Sequence, residues 1–349
     1  MRIVVAMSGG VDSSAAAALL KEQGHEVIGI TLRVYAYEKK KKCGSCCSPE
    51  DIDDARHVAD ALGIPFYVSD VEELFKNKVI NPFVQSYLNG RTPIPCVSCN
   101  QDVKFGFLLE RARALGAKLA TGHYARIATR PDGKRELLKA RDDAKDQSYF
   151  LFTLKQDELA DLVFPLGELT KVEARAVAER HRLPTAQKPE SMEICFVPDG
   201  DYRGLVEKVA GEQPGGTFVD TAGKTLGAHD GVHGFTVGQR RGLGLASSEP
   251  KYVKSIDPAT RQVVVGAEDE IYTQRFALLQ PTWVSGEAPF DQRFSVRIRH
   301  RHAGASGRLA KDPRGFLEVA LDAPARAVSP GQAAVIYDGD RVLGGGWIA

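Results

Sequence analysis

The chain has almost no net charge: 46 Lys and Arg stand against 45 Asp and Glu, leaving +1 over 349 residues. A globally basic nucleic-acid binder is thereby excluded, and any such function must rest on a local patch. Long apolar runs are missing too. The opening MRIVVAMSGGVDSSAAAALL resembles a secretion signal at first, but Gly9, Gly10 and Asp12 interrupt it and Lys21 and Glu22 follow closely. No stretch approaches the roughly 18 apolar residues that a membrane span needs, so a cytoplasmic location without membrane contact is expected. There is no internal repeat, and the only low-complexity segment is the lysine run at 39–42, read as a solvated loop. What remains is ordinary for a globular protein, with 43% apolar and 26% charged residues and a length that calls for two or three domains.

Hydrophobic periodicity divides the chain. Residues 2–7 form a short apolar run ending in a glycine turn, followed by a helix-like stretch at 12–23 and a β-like run at 26–34. Ser48-Pro49-Glu50-Asp51 reads as a helix start, with a hydroxyl cap, proline in the first turn and acids behind it; that helix runs to Leu62 and stops at Gly63. Strands are expected at 66–68 and 118–121, the second preceded by a helix over 105–115. Alternation of this kind predicts an α/β fold with a parallel sheet. It fades near residue 200. Short β-like runs follow at 217–219, 234–237, 253–256 and 262–265, and in RFSVRIR (293–299) Phe294, Val296 and Ile298 face one way and Arg293, Arg297 and Arg299 the other. The expected organisation is a catalytic domain over 1–205, a small central β domain over 206–268, and a C-terminal barrel-like β domain over 269–349 with a partly basic face.

The glycine turn carries chemistry. In MSGGVDSS (7–14) two glycines let the backbone approach an anion, and the helix N-terminus behind them offers unpaired N–H groups. Ser8, Ser13 and Ser14 add hydroxyls, and Asp12 can reach a magnesium ion. Lysine is absent from the loop, which excludes the P-loop that handles a γ-phosphate. S-G-G-x-D-S resembles the ATP-pyrophosphatases, which cleave ATP between the α- and β-phosphates and pass AMP to an acceptor oxygen. The bland reading of the same residues is a glycine turn with a serine-capped helix.

Many reactions share that fold, and the six cysteines narrow the choice. Cys43, Cys46 and Cys47 form one group, Cys96 and Cys99 a second, and Cys195 stands alone. In a reducing compartment such clustering points to metal or redox chemistry rather than structural disulfides. The segment GRTPIPCVSCNQDVKF (90–105) closely resembles the tRNA-specific 2-thiouridylases. So do ATGHYAR (120–126), KDQSYF (145–150), EICF (193–196), GQRRGLG (238–244), SPGQ (329–332) and GGGWI (344–348). The resemblance spans essentially the whole chain in order.

That resemblance implies ATP-dependent replacement of the C2 oxygen of a wobble uridine by sulfur, in tRNAs of the Lys, Glu and Gln kinds. ATP contacts are implied at Ala6, Met7, Ser8, Gly9, Gly10, Val11, Asp12, Ser13, Leu32 and Gly122. Cys99 matches the nucleophile and Cys195 the carrier of a persulfide sulfur, the donor being a cysteine desulfurase or a sulfur-relay protein, or hydrosulfide where a cluster carries the sulfur. Ile94, Pro95 and Cys96 would border the target base, and His123, Lys145, Asp146, Gln147, Arg299, His300 and Gln332 would touch the tRNA.

Two positions depart from the family pattern. Ile94 stands where an Asn is usual, and Cys96 where an Asp is usual three residues before the nucleophile. Cys96, Cys99 and Cys195 together could hold a 4Fe–4S cluster with one iron open to hydrosulfide, because soft thiolates select iron–sulfur or zinc sites. The cluster is the favoured expectation, ahead of a persulfide on Cys195 with no metal, and of structural zinc. Cys43, Cys46 and Cys47 sit in a basic loop and could bind zinc, relay sulfur, or do neither. Two other functions compete: an adenylating enzyme acting on a small metabolite, which has no use for paired cysteines, and a non-catalytic RNA-binding or iron-sensing protein, which has no use for an intact S-G-G-x-D-S loop.

Overall fold

The computed structural model describes residues 1–34, 49–190 and 194–349. The cysteine loop at 43–47, the lysine run, Ser48 and Glu193 of the EICF block therefore lie outside the described residues. The chain begins β1 (Arg2–Ala6), α1 (Val11–Glu22), β2 (Glu26–Arg33), α2 (Pro49–Leu62), β3 (Phe66–Asp70) and β4 (Lys118–Thr121). A hairpin of β5 (Ala125–Thr129) and β6 (Arg135–Lys139) follows, then the two-residue β7 (Leu162–Val163). Strands β3-β2-β1-β4-β7 line up as one parallel sheet. The near-continuous apolar sequence of β2, EVIGITLR, suits a strand covered on both faces. Along β1, Val4 packs into one core cluster, and Ile3 and Val5 into a second on the other face. The second cluster includes Ala15, Ala16, Ala17 and Ala18 of α1, all fully buried, whose small side chains let α1 sit close to the sheet and to the helix Lys171–Arg180.

The expected helix over 105–115 begins earlier and is wound differently. Pro95–Ser98 is α-helical, Cys99–Leu108 has the wider π-helical winding, and Leu109–Ala114 is α-helical again. Such π segments are rare and concentrate at functional sites. This one starts at Cys99.

Two β units complete the chain. A four-stranded sheet orders β8 (Gly216–Val219), β9 (Thr225–His229), β10 (Tyr252–Asp257) and β11 (Gln262–Gly266) as β10-β11-β8-β9. The strand expected at 234–237 does not form: Val232–Gly234 is a 3-10 turn, and Gly238 N–H donates to the Val253 carbonyl at 2.7 Å, so the segment closes onto β10 as a turn. The last unit comprises β12 (Tyr272–Trp283), β13 (Phe294–Arg297), β14 (Ala305–Lys311), β15 (Leu317–Arg326), β16 (Ala333–Asp338) and β17 (Arg341–Ile348). Their order β12-β15-β14-β13-β16-β17 closes through a β12–β17 pairing into a six-stranded barrel, which leaves it no open edge. Phe294, Val296 and Ile298 point into its core as their alternation predicts. The β5–β6 hairpin pairs with β17, so the first segment of the chain contributes two strands to the sheet of the last.

Candidate active site

β1 is the middle strand of the parallel sheet, and the strand order reverses there: β2 lies to one side and β4 to the other. In open sheets of this kind ligands bind beyond the carboxyl ends of the strands at that reversal. Ala6 ends β1, Leu32 lies near the end of β2, and Gly122 directly follows β4. The glycine loop crosses this point. Gly9 has φ +69°, and a Cβ on it would collide with the backbone oxygen of Asp51 at the start of α2. A Cβ on Gly122 would lie 2.8 Å from the Ser13 nitrogen. Both positions therefore require glycine for close backbone approach. Ser13 and Ser14 hydroxyls donate to the Gly10 carbonyl at 3.1 and 2.8 Å, and Ser8 N–H donates to Ser13 Oγ at 3.1 Å. The loop is thus braced internally with the start of α1 behind it, a cradle that fits a polyphosphate.

The cation that the loop lacks comes from elsewhere. Lys171 Nζ reaches both oxygens of Asp12, at 2.7 and 2.8 Å, with only 11% of its side chain exposed. Tyr124 Oη donates to the same carboxylate at 2.8 Å, and burial, then the charge of that anion, raises the Tyr124 phenol well above its ordinary range. Lys188 donates to the Gly9 carbonyl at 3.0 Å and also pairs with Asp51 and Asp54 at 2.5 and 2.6 Å. Burial pulls its pKa down, but the two carboxylates outweigh that and the net shift is upward. Magnesium at Asp12 fits only if the carboxylate exchanges Lys171 for the metal, since both oxygens are engaged.

None of Lys171, Lys188 and Tyr124 was expected from the sequence. The signal available for Lys171 is the Thr170-x-x-Glu173 box: Thr170 caps the helix and Glu173 reaches back to the Thr170 N–H, fixing Lys171 in the first turn. Which site that turn faces is a matter of tertiary structure.

The thiols lie on the other side of the sheet. Cys96 is in the first turn of its helix and exposed, and Cys99 follows three residues later, half-buried. Cys99 and Cys195 both pack against the same apolar core cluster. Phe196 anchors the Cys195 segment by edge-to-face contacts with Phe75 and Phe83, at centroid distances of 5.7 and 5.1 Å. Beside Cys99, Asn100 is 2% exposed; its amide donates to the Phe150 carbonyl at 3.1 Å and its oxygen accepts from Lys104 at 3.0 Å. His123 places Nε2 3.1 Å from that oxygen and Nδ1 2.8 Å from Gln147 Oε1. Burial, then the charge of Lys104, push the His123 pKa down to about 3, so the ring is neutral at physiological pH and has one N–H for two acceptors. Among the described residues no group of three His, Cys, Asp or Glu is arranged to hold a metal. As folded, Cys96, Cys99 and Cys195 are not gathered into such a group.

The other expected RNA contacts divide. Gln332 donates to the Thr92 carbonyl at 3.0 Å and Thr92 N–H to the Pro330 carbonyl at 2.8 Å, so the barrel turn at 329–332 docks on the segment leading to Cys96. Ile94 and Pro95 are buried, Arg299 is exposed, and His300 lies 4.5 Å from the Phe150 ring and donates to the Asp146 carbonyl at 3.1 Å. Lys145 is partly exposed and pairs with Glu190 at 2.6 Å. Asp146 differs from the expectation of an RNA contact. Its side chain is 1% exposed and its carboxylate takes Ala140 N–H at 3.2 Å, Ser148 N–H at 3.1 Å, Ser148 Oγ at 3.0 Å and Arg297 Nη1 at 3.0 Å. Those four donors fill it. Arg297 correspondingly leaves the expected solvated basic face: it is 17% exposed and lies 5.0 Å from the Tyr337 ring.

Comparison with known proteins agrees with this architecture. Residues 1–199 match the family described as tRNA methyl transferase HUP domain, 203–267 its PRC-barrel domain, and 273–348 the aminomethyltransferase beta-barrel domain. The fold and the glycine loop thus define a HUP-domain protein whose parallel sheet is suited to ATP. Full-length relatives named tRNA-specific 2-thiouridylase MnmA include those of Geotalea uraniireducens, 52% identical over 99% of this chain and 94% of that protein, and Solibacter usitatus, 50% identical over 99% and 98%. The relative from Rickettsia typhi is 49% identical over 99% and 98%. The chain belongs to the tRNA-specific 2-thiouridylase family. No helix among the described residues is long and apolar enough to cross a membrane.

Proposed function

We propose that the chain converts the wobble uridine of tRNA to 2-thiouridine, adenylating the C2 oxygen at the glycine loop and delivering sulfur from Cys195. The observation that carries this reading is that Cys99 and Cys195, distant in sequence, both pack against the core cluster that also holds Val4 and Leu32, strand residues of the sheet that presents the braced glycine loop. The C2 oxygen attacks the α-phosphate of ATP, the bond to the β-phosphate breaks, and pyrophosphate leaves. The loop N–H groups, Lys171 and Lys188 hold the phosphates; Asp12, released by Lys171, would hold Mg²⁺, which would supply charge neutralisation of the polyphosphate. Adenylation matters because an adenylate leaves readily where a carbonyl oxygen does not.

A persulfide anion on Cys195, loaded by a cysteine desulfurase or a relay protein, then attacks C2. AMP departs with the former uridine oxygen, and the base is held to Cys195 through a C2–S–S link. The Cys99 thiolate attacks Cys195 Sγ, the S–S bond breaks, and 2-thiouridine leaves with the bonding electrons. The resulting disulfide between Cys99 and Cys195 is reset by an external dithiol. Arg299, His300, Gln332, Lys145 and Gln147 line the approach for the anticodon arm, where phosphate contacts set register and the target base is turned out.

The test uses unmodified tRNA of the Lys kind, ATP and a persulfide donor, reading 2-thiouridine by retardation in a mercury-containing gel and counting AMP. One AMP per thiolated base is expected, with Cys195→Ser forming AMP but no thiouridine. AMP formation that needs no tRNA, with no thiouridine at any time, would overturn the reading.

A further inference from the structure

Four charged side chains join the ATP loop to the RNA side. Lys145 Nζ lies 2.6 Å from Glu190 Oε2; Glu190 Oε1 lies 3.0 Å from Lys171 Nζ; Lys171 Nζ lies 2.7 Å from Asp12 Oδ1. The order is cation, anion, cation, anion. Side-chain exposures run 34%, 28%, 11% and 32% along the chain, so Lys171 is the sheltered member while the other three meet solvent. A sheltered charge is screened far less than a surface one, so the division of Lys171 between its two carboxylates responds to a change at either. Lys145 sits two residues before Gln147, which holds His123 beside Asn100 and Cys99, and Asp12 belongs to the loop itself. The chain therefore spans both substrates of the reaction.

We propose that this ion-pair chain couples tRNA binding to nucleotide binding, with Lys171 as the shared cation and Glu190 as the residue that positions it. The proposal rests on the reading that ATP sits at the glycine loop and tRNA at Lys145. In the resting protein Lys171 is divided between Asp12 and Glu190, and Glu190 is divided between Lys171 and Lys145. An RNA phosphate that takes Lys145 leaves Glu190 with Lys171 alone. Glu190 then draws the ammonium away from Asp12, which frees the carboxylate to hold a metal with the nucleotide. Nucleotide binding loosens Lys145 by the same route, since coupling of this kind is reciprocal. Bound tRNA thus prepares the loop for ATP, and ATP cleavage without an acceptor is discouraged.

The two inner substitutions give opposite signs. Lys145→Met leaves Glu190 permanently on Lys171, so the protein without tRNA acquires the nucleotide affinity of the tRNA-bound form. Glu190→Gln leaves Lys171 on Asp12, so affinity stays low with or without tRNA. The probe is α,β-methylene-ATP with magnesium, titrated calorimetrically in the presence and absence of unmodified tRNA transcript. Wild type should bind the analogue roughly 5- to 150-fold tighter with tRNA, the usual span of such couplings, and both variants should show a ratio near one. Thermal melts of both variants establish that they fold. Glu190→Gln retaining the wild-type ratio, or Lys145→Met binding the analogue no tighter than wild type without tRNA, would overturn the proposal. A wild-type ratio of one would overturn it too. tRNA-dependent pyrophosphate release by wild type reports separately on the underlying function.

Discussion

Asp146→Asn separates a structural role for this residue from a contact with RNA. The carboxylate accepts two backbone N–H groups on one oxygen and Ser148 Oγ plus Arg297 on the other. Asparagine has one acceptor oxygen, so its amide must face either the two backbone donors or the Arg297 guanidinium. In the second and milder case a cation only 17% exposed loses its partner. Breaking a buried pair by removing one member costs about 3–5 kcal/mol. Arg297 keeps the Tyr337 ring at 5.0 Å, worth about 0.5–1 kcal/mol, which places the expected loss toward the lower end. The only two tryptophans, Trp283 and Trp347, both lie in the barrel and report its unfolding by fluorescence. With a urea slope near 2 kcal/mol per molar, the barrel midpoint should fall by about 1.5–2 M. The KM for tRNA of the folded fraction should change little. An unchanged midpoint with a tenfold higher KM would refute the argument and return Asp146 to the RNA surface.

Gly122→Ala inserts a Cβ 2.8 Å from the Ser13 nitrogen, an overpacking worth about 1–3 kcal/mol, and should weaken ATP-analogue binding about tenfold or more while tRNA binding persists; calorimetry with each ligand checks this. His123 should titrate near pH 3, so carbon-13 shifts of its labelled ring should not move between pH 8 and 5. Because its folded pKa lies below the unfolded value near 6.5, its contribution to stability is complete above pH 6.5. It declines by at most about 1.4 kcal/mol per pH unit as pH falls toward 3, which urea titrations at several pH values would detect. Protein purified without oxygen should carry less than one iron per chain, and Cys96→Ala should still thiolate tRNA from a persulfide donor. Four irons per chain, lost with Cys96, would restore the cluster.

The glycine turn between β1 and α1 was legible in the sequence. A strand, glycine turn and helix follow directly from local pattern, and S-G-G-x-D-S fixes where they meet. Barrel strand β13 was equally legible, because Phe294, Val296 and Ile298 alternate cleanly. Long-range electrostatics were not. KDQ reads as three polar contacts, yet Asp146 is consumed by Arg297, which is 151 residues away. Lys171 and Lys188 close the glycine loop from 159 and 179 residues beyond their partners in it, and no local period marks them. The π winding from Cys99 is invisible for another reason: α and π turns share the same residue preferences. The β5–β6 hairpin shows the limit of reading domains from composition, since its strands sit in the first segment but pair with the last.

Activation of the base by adenylation requires that the oxygen removed from uridine leave on AMP. Unmodified tRNA made with oxygen-18 at C2 of the wobble uridine, incubated with the protein, ATP and a persulfide donor, tests it in one mass spectrum. AMP heavier by two mass units is expected, in a one-to-one ratio with the 2-thiouridine formed. Unlabelled AMP alongside normal thiolation would contradict it, because the activating group would then have gone to water or to the sulfur donor instead of the base.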